Sequence, residues 1–265
     1  MLRRLSSSPF CHVRGAGEIR MPFATHRGQR LHYTVDGAGP LVVLQHGLLL
    51  DGASWRRCGI VDVLAQDFRV VCVDSLGHGR SDKPADPALY AQDQRAGDIV
   101  AVIDDLGCER AHVIGHSMGG WLAVGVAKDY ASRLSSLVVA GWNLMSGLAP
   151  GTNGPVTFDG FMKFARATAP KLTEWVTSEH EAGVRACFEA LYELEGAEQA
   201  VLGLTQPVML WNGRHDPAHD PMQAFAKAHG LHDLSTEGDH LGMLFRHGAE
   251  GARGLRAFLH QTSSD

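Results

Sequence analysis

The chain has 265 residues, 45% of them hydrophobic and 20% charged, and its formal net charge is −5 at pH 7. This length and composition are typical of one large α/β domain with a sizeable core. The acidic balance argues against a nucleic-acid partner, which usually needs a basic face. No apolar run approaches the roughly 18 residues of a membrane helix, so no membrane partner is expected either. The sequence leaves the oligomeric state open.

Two features bear on where the protein works. Residues 1–20 carry four arginines against one acid and lack the apolar segment of a secretory signal. We expect them to form a poorly ordered extension ahead of the domain, with a weak organelle transit peptide as the alternative. The five cysteines are dispersed and contain no Cys-x-x-Cys pair, which predicts reduced thiols and a cytoplasmic location.

From Met21 onward, short apolar runs alternate with longer helical stretches. "RLHYTV" alternates as a strand does, whereas "LVVLQ", "RVVCV", "AHVIG" and "LSSLVVAG" are short and nearly all apolar. Such runs are typical of a parallel sheet that helices cover on both faces. The intervening patterns predict helices over Ala53–Gln66, Ala88–Leu106 and Met118–Arg133.

The alternation is interrupted once. No strand is predicted from Asn143 to Gln206, where the breaker-rich "SGLAPGTNGP" is followed by helical patterns. Strands then return with "PVMLWNG" and "HDLSTE", separated by the helix "PMQAFAKAHG" and followed by a last helix. This order predicts an α/β fold with a mostly parallel sheet and helices on both faces. Residues 21–142 and 207–265 would form its core, and residues 143–206 a small helical cap.

One short segment, "VIGHSMGG", places a serine between a predicted strand and a predicted helix. Ser117 stands at the apex of this turn, and Gly115 and Gly119 allow the strand and helix to pack closely around it. The N–H groups that follow lie at a helix N-terminus, which attracts an oxyanion. A serine that only caps the helix would also satisfy this pattern taken alone.

Four further motifs lie before and after this turn along the chain, and their order is informative. They are "LVVLQHGLLLDGASW", "VDSLGHGRSDKP", "LWNGRHDP" and "GDHLGML". With them, the chain from Pro22 to His260 resembles the α/β-hydrolase superfamily. The resemblance implies a mostly parallel eight-stranded sheet. It also implies a nucleophile, an acid and a histidine in that chain order, and an oxyanion hole formed by the N–H groups of Met118 and Leu48.

A serine hydroxyl needs a base to take its proton, and the base needs an acid to hold it. His240 is the favoured base because it follows the last predicted strand, whereas its main rival, His247, lies within a helical pattern. Asp216 follows "VMLWNG" and is the favoured acid, although it could instead cap the next helix. Asp220 is the only near alternative. His46 is expected to brace the oxyanion turn by hydrogen bonds.

The cap and the end of the strand "LSSLVVAG" supply candidate pocket residues. Trp142 ends that strand near the edge where crevices form, and Phe161 and Trp175 belong to an apolar stripe of the cap. Packing within the cap explains most of this stripe equally well. No cofactor and no metal are expected, because "GHGRSD" lacks the third glycine of a dinucleotide loop and "HDPAH" has a proline between its histidines.

These patterns predict a serine hydrolase that cleaves a small ester or related acyl substrate through an acyl-enzyme intermediate. A C–C bond hydrolase or a cofactor-free perhydrolase would use the same three residues. A non-catalytic hydrolase-fold receptor or binding module is the alternative from another class, although such a protein need not keep all three residues in place.

Overall fold

The computed structural model describes residues 23–148 and 154–262, so the predicted extension at residues 1–20 lies outside the described residues. Eight strands form one sheet with the order β1-β2-β4-β3-β5-β6-β7-β8. They are β1 (Phe23–His26), β2 (Gln29–Asp36), β3 (Leu41–Gln45), β4 (Arg69–Val73), β5 (Ala111–His116), β6 (Leu134–Ala140), β7 (Val208–Gly213) and β8 (His232–Thr236). β1 pairs antiparallel with β2, and β2 pairs antiparallel with β4. All later pairings are parallel, which confirms the mostly parallel eight-stranded sheet.

Eleven α-helices lie in the described residues. They are α1 (Ser54–Arg57), α2 (Ile60–Leu64), α3 (Gln92–Asp105), α4 (Met118–Asp129), α5 (Phe158–Thr168), α6 (Pro170–Thr173), α7 (Glu181–Ala190), α8 (Ala197–Leu202), α9 (His219–His229), α10 (Gly242–Phe245) and α11 (Gly248–Thr262). Val43 and Val113 pack with α3, α4 and α9 on one face of the sheet, whereas Val42 and Ile114 pack with α2 and α11 on the other. The central strands are buried on both faces, so their sequences read as continuous apolar runs.

The structure corrects several predicted boundaries. The helix expected over Ala53–Gln66 divides at Gly59, whose φ of 76° interrupts the helical hydrogen bonding between α1 and α2. The second predicted helix begins only at Gln92, after a 3-10 turn at Pro87–Tyr90, because Ala91 is extended with a ψ of 149°. The third predicted helix ends at Asp129, and only a 3-10 turn continues as far as Arg133.

The helical segment between β6 and β7, residues 143–206, is called the insertion. Its described residues contain helices α5 to α8 and no strand. A separate hydrophobic cluster fills it, formed by Phe158, Met162, Val176 and Phe188 among others, and this cluster also takes in Leu49 from the loop after β3. The insertion therefore contacts the core of the protein at the carboxyl edge of the sheet.

Two findings concern the wider character of the chain. No helix in the described ranges is long and apolar enough to cross a membrane. Cys58, Cys72 and Cys187 are free and buried. The expectation that all five cysteines are reduced is wrong for Cys108, which is disulfide-bonded.

Candidate active site

Ser117 lies on a strained turn between β5 and α4. Its φ is 57°, which is unusual for a residue with a side chain. The turn is held because the Ser117 N–H donates a 2.8 Å hydrogen bond to the carbonyl of Ala140 in β6. A Cβ added to Gly115 would clash with the carbonyl oxygen of Gly119, and one added to Gly119 would clash with that of Gln45. Glycine at both positions is therefore what lets strand and helix approach so closely.

Three loops at the carboxyl edge of the sheet bring together Ser117, His240 and Asp216. Nε2 of His240 lies 3.0 Å from Oγ of Ser117, and Nδ1 of His240 lies 2.7 Å from Oδ2 of Asp216. A carboxylate only accepts hydrogen bonds, so it favours the proton on Nδ1 and leaves Nε2 as the acceptor for the serine hydroxyl. The arrangement can thus take a proton from Ser117.

Burial and hydrogen bonding shift the pKa of Asp216 in opposite directions. Burial by itself would raise the pKa of its carboxyl, but the hydrogen bond and charge of His240 and the N–H of Ala218 outweigh it, so the pKa lies below its ordinary value. The Ala218 N–H donates to Oδ1 over 2.9 Å. Asp216 is therefore a carboxylate at neutral pH, with both oxygens accepting hydrogen bonds.

His116 precedes the serine but makes a different contact. Burial, with a further effect from the charge of His240, lowers the pKa of His116 to about 3, so the ring is neutral. Its Nε2 lies 2.9 Å from the backbone carbonyl of His240 and donates a hydrogen bond to it. His116 thus supports the loop that carries His240.

Asp220, the alternative acid, and Asp239, which directly precedes His240, make other contacts. Oδ1 of Asp220 lies 2.6 Å from Nδ1 of His219. Oδ1 of Asp239 accepts a 2.7 Å hydrogen bond from the N–H of Gly242. Within the described residues, the carboxylate that contacts the His240 ring is therefore that of Asp216.

The backbone after β3 lies directly beside the serine. A Cβ on Gly47 would stand only 3.1 Å from Cβ of Ser117, so the next residue, Leu48, is adjacent to the nucleophile. In the described part of the chain, neither the Leu48 N–H nor the Met118 N–H has a hydrogen-bond acceptor. An oxyanion hole requires two such donors beside the reacting carbonyl, and that Leu48 and Met118 form one stays a prediction.

His46 holds this backbone by hydrogen bonds from its ring. Its Nδ1 donates to the carbonyl of Gly47 over 2.8 Å, and its Nε2 accepts from the N–H of Ser75 over 3.0 Å. Burial lowers the pKa of His46, so the ring stays neutral and can make one donated and one accepted hydrogen bond.

The three predicted pocket residues lie in different surroundings. Trp142 is only 3% exposed and packs in the main hydrophobic cluster. Phe161 is half-buried and stacks on Phe188, with ring centroids 5.1 Å apart. Trp175 directs its indole N–H to the carbonyl of Leu49, over 3.2 Å. That these residues line an acyl pocket stays a prediction.

Sequence reasoning missed the side chains that hold the loops around the site. Asp74 accepts hydrogen bonds from the Gly52 N–H at 2.7 Å and the Arg80 N–H at 2.9 Å. Its motif was visible in "VDSLGHGRSDKP", and this signal could have indicated the role. The contact between Trp175 and Leu49 joins residues 126 positions apart and leaves no local pattern. Across the described ranges, no group of three or more His, Cys, Asp or Glu side chains is placed to hold a metal ion.

Comparison with known proteins agrees with this geometry. Residues 40–180 match the α/β-hydrolase fold family, and the chain belongs to that family. The resemblance predicted from the motifs is thereby confirmed.

The similarity to individual relatives extends over only part of each relative's length. An uncharacterized protein of Mycobacterium tuberculosis is 32% identical over 163 residues, which are 61% of this chain and 43% of that protein. Epoxide hydrolase B of the same species is 37% identical over 116 residues, 42% of this chain and 32% of the relative. The chain thus spans less than half the length of these curated relatives. Among solved structures, the enol-lactonase from Burkholderia xenovorans superposes with a TM-score of 0.72 and 25% identity, covering 90% of this chain and 100% of that one.

Proposed function

We propose that the protein is a serine hydrolase that cleaves a small ester or related acyl substrate through an acyl-enzyme intermediate. The observation that carries this proposal is the continuous hydrogen-bonded chain from Ser117 through His240 to Asp216, with separations of 3.0 and 2.7 Å. Membership of the hydrolase-fold family and the likeness to an enol-lactonase support the reaction class.

The chemistry follows from the positions of these groups. Oγ of Ser117 attacks the substrate carbonyl while Nε2 of His240 takes its proton, and Asp216 stabilises the imidazolium that forms. The N–H groups of Leu48 and Met118 bind the oxyanion of the tetrahedral intermediate. His240 then gives its proton to the leaving alcohol. It next activates the water that releases the acid and restores Ser117.

The surroundings suggest a small, largely apolar substrate. The insertion presents half-buried side chains near the loop after β3, among them Phe161 and Trp175, and Leu48 of that loop packs against the same cluster. We propose that the insertion acts as a cap, with residues 21–142 and 207–265 as the core domain. A cytoplasmic location is also proposed. The buried free thiols of Cys58, Cys72 and Cys187 agree with it, whereas the disulfide of Cys108 argues against it.

Covalent labelling tests the proposal directly. A fluorophosphonate should label the wild-type protein at Ser117 and fail to label Ser117→Ala, while the two proteins melt at nearly the same temperature. Persistent labelling of Ser117→Ala would sink the assignment of the nucleophile. An unlabelled wild type would favour the non-catalytic binding module.

A substrate series separates the remaining reaction classes. The p-nitrophenyl esters of acetate, butyrate, octanoate and decanoate should be hydrolysed, with preference for the short acyl chains. A panel of diketones, assayed beside them, should give much lower kcat/KM. The opposite preference would indicate a C–C bond hydrolase that uses the same three residues.

A further inference from the structure

The backbone segment that carries the Leu48 N–H is a tight turn with an unusual conformation. The N–H of Leu50 donates to the carbonyl of Gly47 over 3.1 Å, which closes a four-residue turn from Gly47 to Leu50. Leu49, the third residue, has a φ of 66°. This is the position at which a type II turn requires positive φ and favours glycine, so a leucine there needs support from its surroundings.

Side chains from two other parts of the chain form hydrogen bonds with the N–H and the carbonyl of Leu49. Its N–H donates to Nε2 of His78 over 3.3 Å, and its carbonyl accepts from the indole N–H of Trp175 over 3.2 Å. His78 belongs to the loop after β4, whereas Trp175 belongs to the insertion. The rings of His78 and Trp175 also meet edge to face, with centroids 5.4 Å apart.

The Leu49 side chain is held as well. It is only 5% exposed and lies in the hydrophobic cluster of the insertion with Phe158, Met162 and Phe188. The insertion therefore holds the same residue by its carbonyl and by its side chain.

The protonation of His78 suits this contact. Burial, with smaller effects from His46 and Arg95, lowers its pKa well below the usual value. The neutral ring directs Nδ1 toward the carbonyl of Leu76 at 3.4 Å, which leaves Nε2 as the acceptor for the Leu49 N–H. A protonated ring would place two donors face to face.

We propose that His78 and Trp175 are positioning residues that hold Leu49 in its left-handed conformation and so aim the neighbouring Leu48 N–H at the oxyanion formed on Ser117. This role rests on the proposed function. Its consequence is that the insertion completes the oxyanion hole in addition to covering the site. Without its contacts to the insertion, the turn would lose the support that keeps Leu49 in an unfavourable conformation.

The first test removes one hydrogen bond and keeps the ring. In Trp175→Phe, kcat for p-nitrophenyl acetate should fall roughly fivefold, as expected for one lost hydrogen bond, while KM changes less than about twofold. The decrease should stay below the roughly 10²- to 10³-fold loss that follows removal of a whole oxyanion donor. Tyr192→Phe is the matched control, because it removes the hydrogen bond that the Tyr192 hydroxyl donates to the carbonyl of Val156 within the insertion itself. It should leave kcat and KM unchanged.

The second test uses His78. His78→Phe removes the acceptor and should lower kcat as Trp175→Phe does, whereas His78→Gln retains an acceptor at similar reach and should recover most of the activity. If Trp175→Phe fails to fold, this pair carries the kinetic test. Recovery in the glutamine variant separates positioning from simple packing, because glutamine fills the space of the ring less well than phenylalanine does.

The third test does not depend on turnover. Hydrogen exchange at the amides of Leu49 and Leu50 should be faster in Trp175→Phe and His78→Phe than in the wild type, and unchanged in Tyr192→Phe. Wild-type kcat and unchanged exchange in Trp175→Phe would overturn the proposal, as would a loss confined to KM. A wild-type protein that is neither active nor labelled overturns the proposed function instead, and this role with it.

Discussion

Replacing Asp216 by asparagine distinguishes a catalytic acid from a residue that only holds the turn before α9. The two oxygens of Asp216 accept from two donors, Nδ1 of His240 at 2.7 Å and the Ala218 N–H at 2.9 Å. An asparagine has one carbonyl oxygen and one amide donor, so it can satisfy only one of these groups. If its oxygen stays on Ala218, the amide faces Nδ1 and favours the tautomer with the proton on Nε2. That ring cannot accept the Ser117 proton.

The size of the effect follows from this mismatch. In a serine protease, replacing the triad aspartate by asparagine produces the same wrong tautomer and lowers kcat about 10⁴-fold. We expect at least about 10²-fold here, or about 2.7 kcal/mol of transition-state stabilisation. Because the asparagine oxygen can still accept from the Ala218 N–H, the melting temperature should drop by only about 2–4 °C, as for a loss of about 1 kcal/mol.

The assay is kcat/KM for p-nitrophenyl acetate at pH 7.5, together with a thermal melt. Asp220→Asn is the matched control, since Asp220 lies near in sequence but its carboxylate contacts His219. It should retain wild-type activity. Near-full activity of Asp216→Asn would show that Asp216 only holds the turn through the Ala218 N–H, and the partner of His240 would have to be another group.

Two further predictions concern stability. Gly119→Ala should lower the melting temperature by about 3–10 °C, because the added Cβ would clash with the carbonyl of Gln45 and overpacking costs about 1–3 kcal/mol; an unchanged melt would contradict the close approach. Buried His112 and His116 have pKa values lowered to about 4 and about 3, whereas in the unfolded chain they titrate near about 6.5. The unfolded state therefore binds more protons below about pH 6.5, and stability should decrease as the pH falls from there toward about 4. Urea melts from pH 7 to 4.5 should show this slope, and His112→Gln should reduce it by up to about 1.4 kcal/mol per pH unit. An unchanged slope in that variant would mean that His112 is protonated in the folded protein.

The succession of strands and helices along the chain and the nucleophile turn were accessible to sequence reasoning because both depend on local patterns. Val42 and Val43 face opposite cores, so β3 reads as a continuous apolar run. β1 was not predicted as a separate strand. It pairs with β2 through a turn at Arg27 and Gly28, both with positive φ, and "RG" is not among the strong hairpin signals.

Helix ends were less accessible. The break at Gly59 depends on a left-handed conformation that a glycine permits but does not require. The packing of α1 and α2 decides whether Gly59 adopts this conformation, and the local sequence does not reveal that packing.

By itself, the sequence determined the family, the alternation of strands and helices, and the residue types that the proposed chemistry needs. Those properties lie in spacing and in motifs of a few neighbouring residues. Only the tertiary structure decided that Asp216 and not Asp220 contacts His240, and that Trp175 and His78 grip Leu49 beside the serine. These contacts join loops far apart along the chain, and their distances are set by how the sheet and the insertion pack.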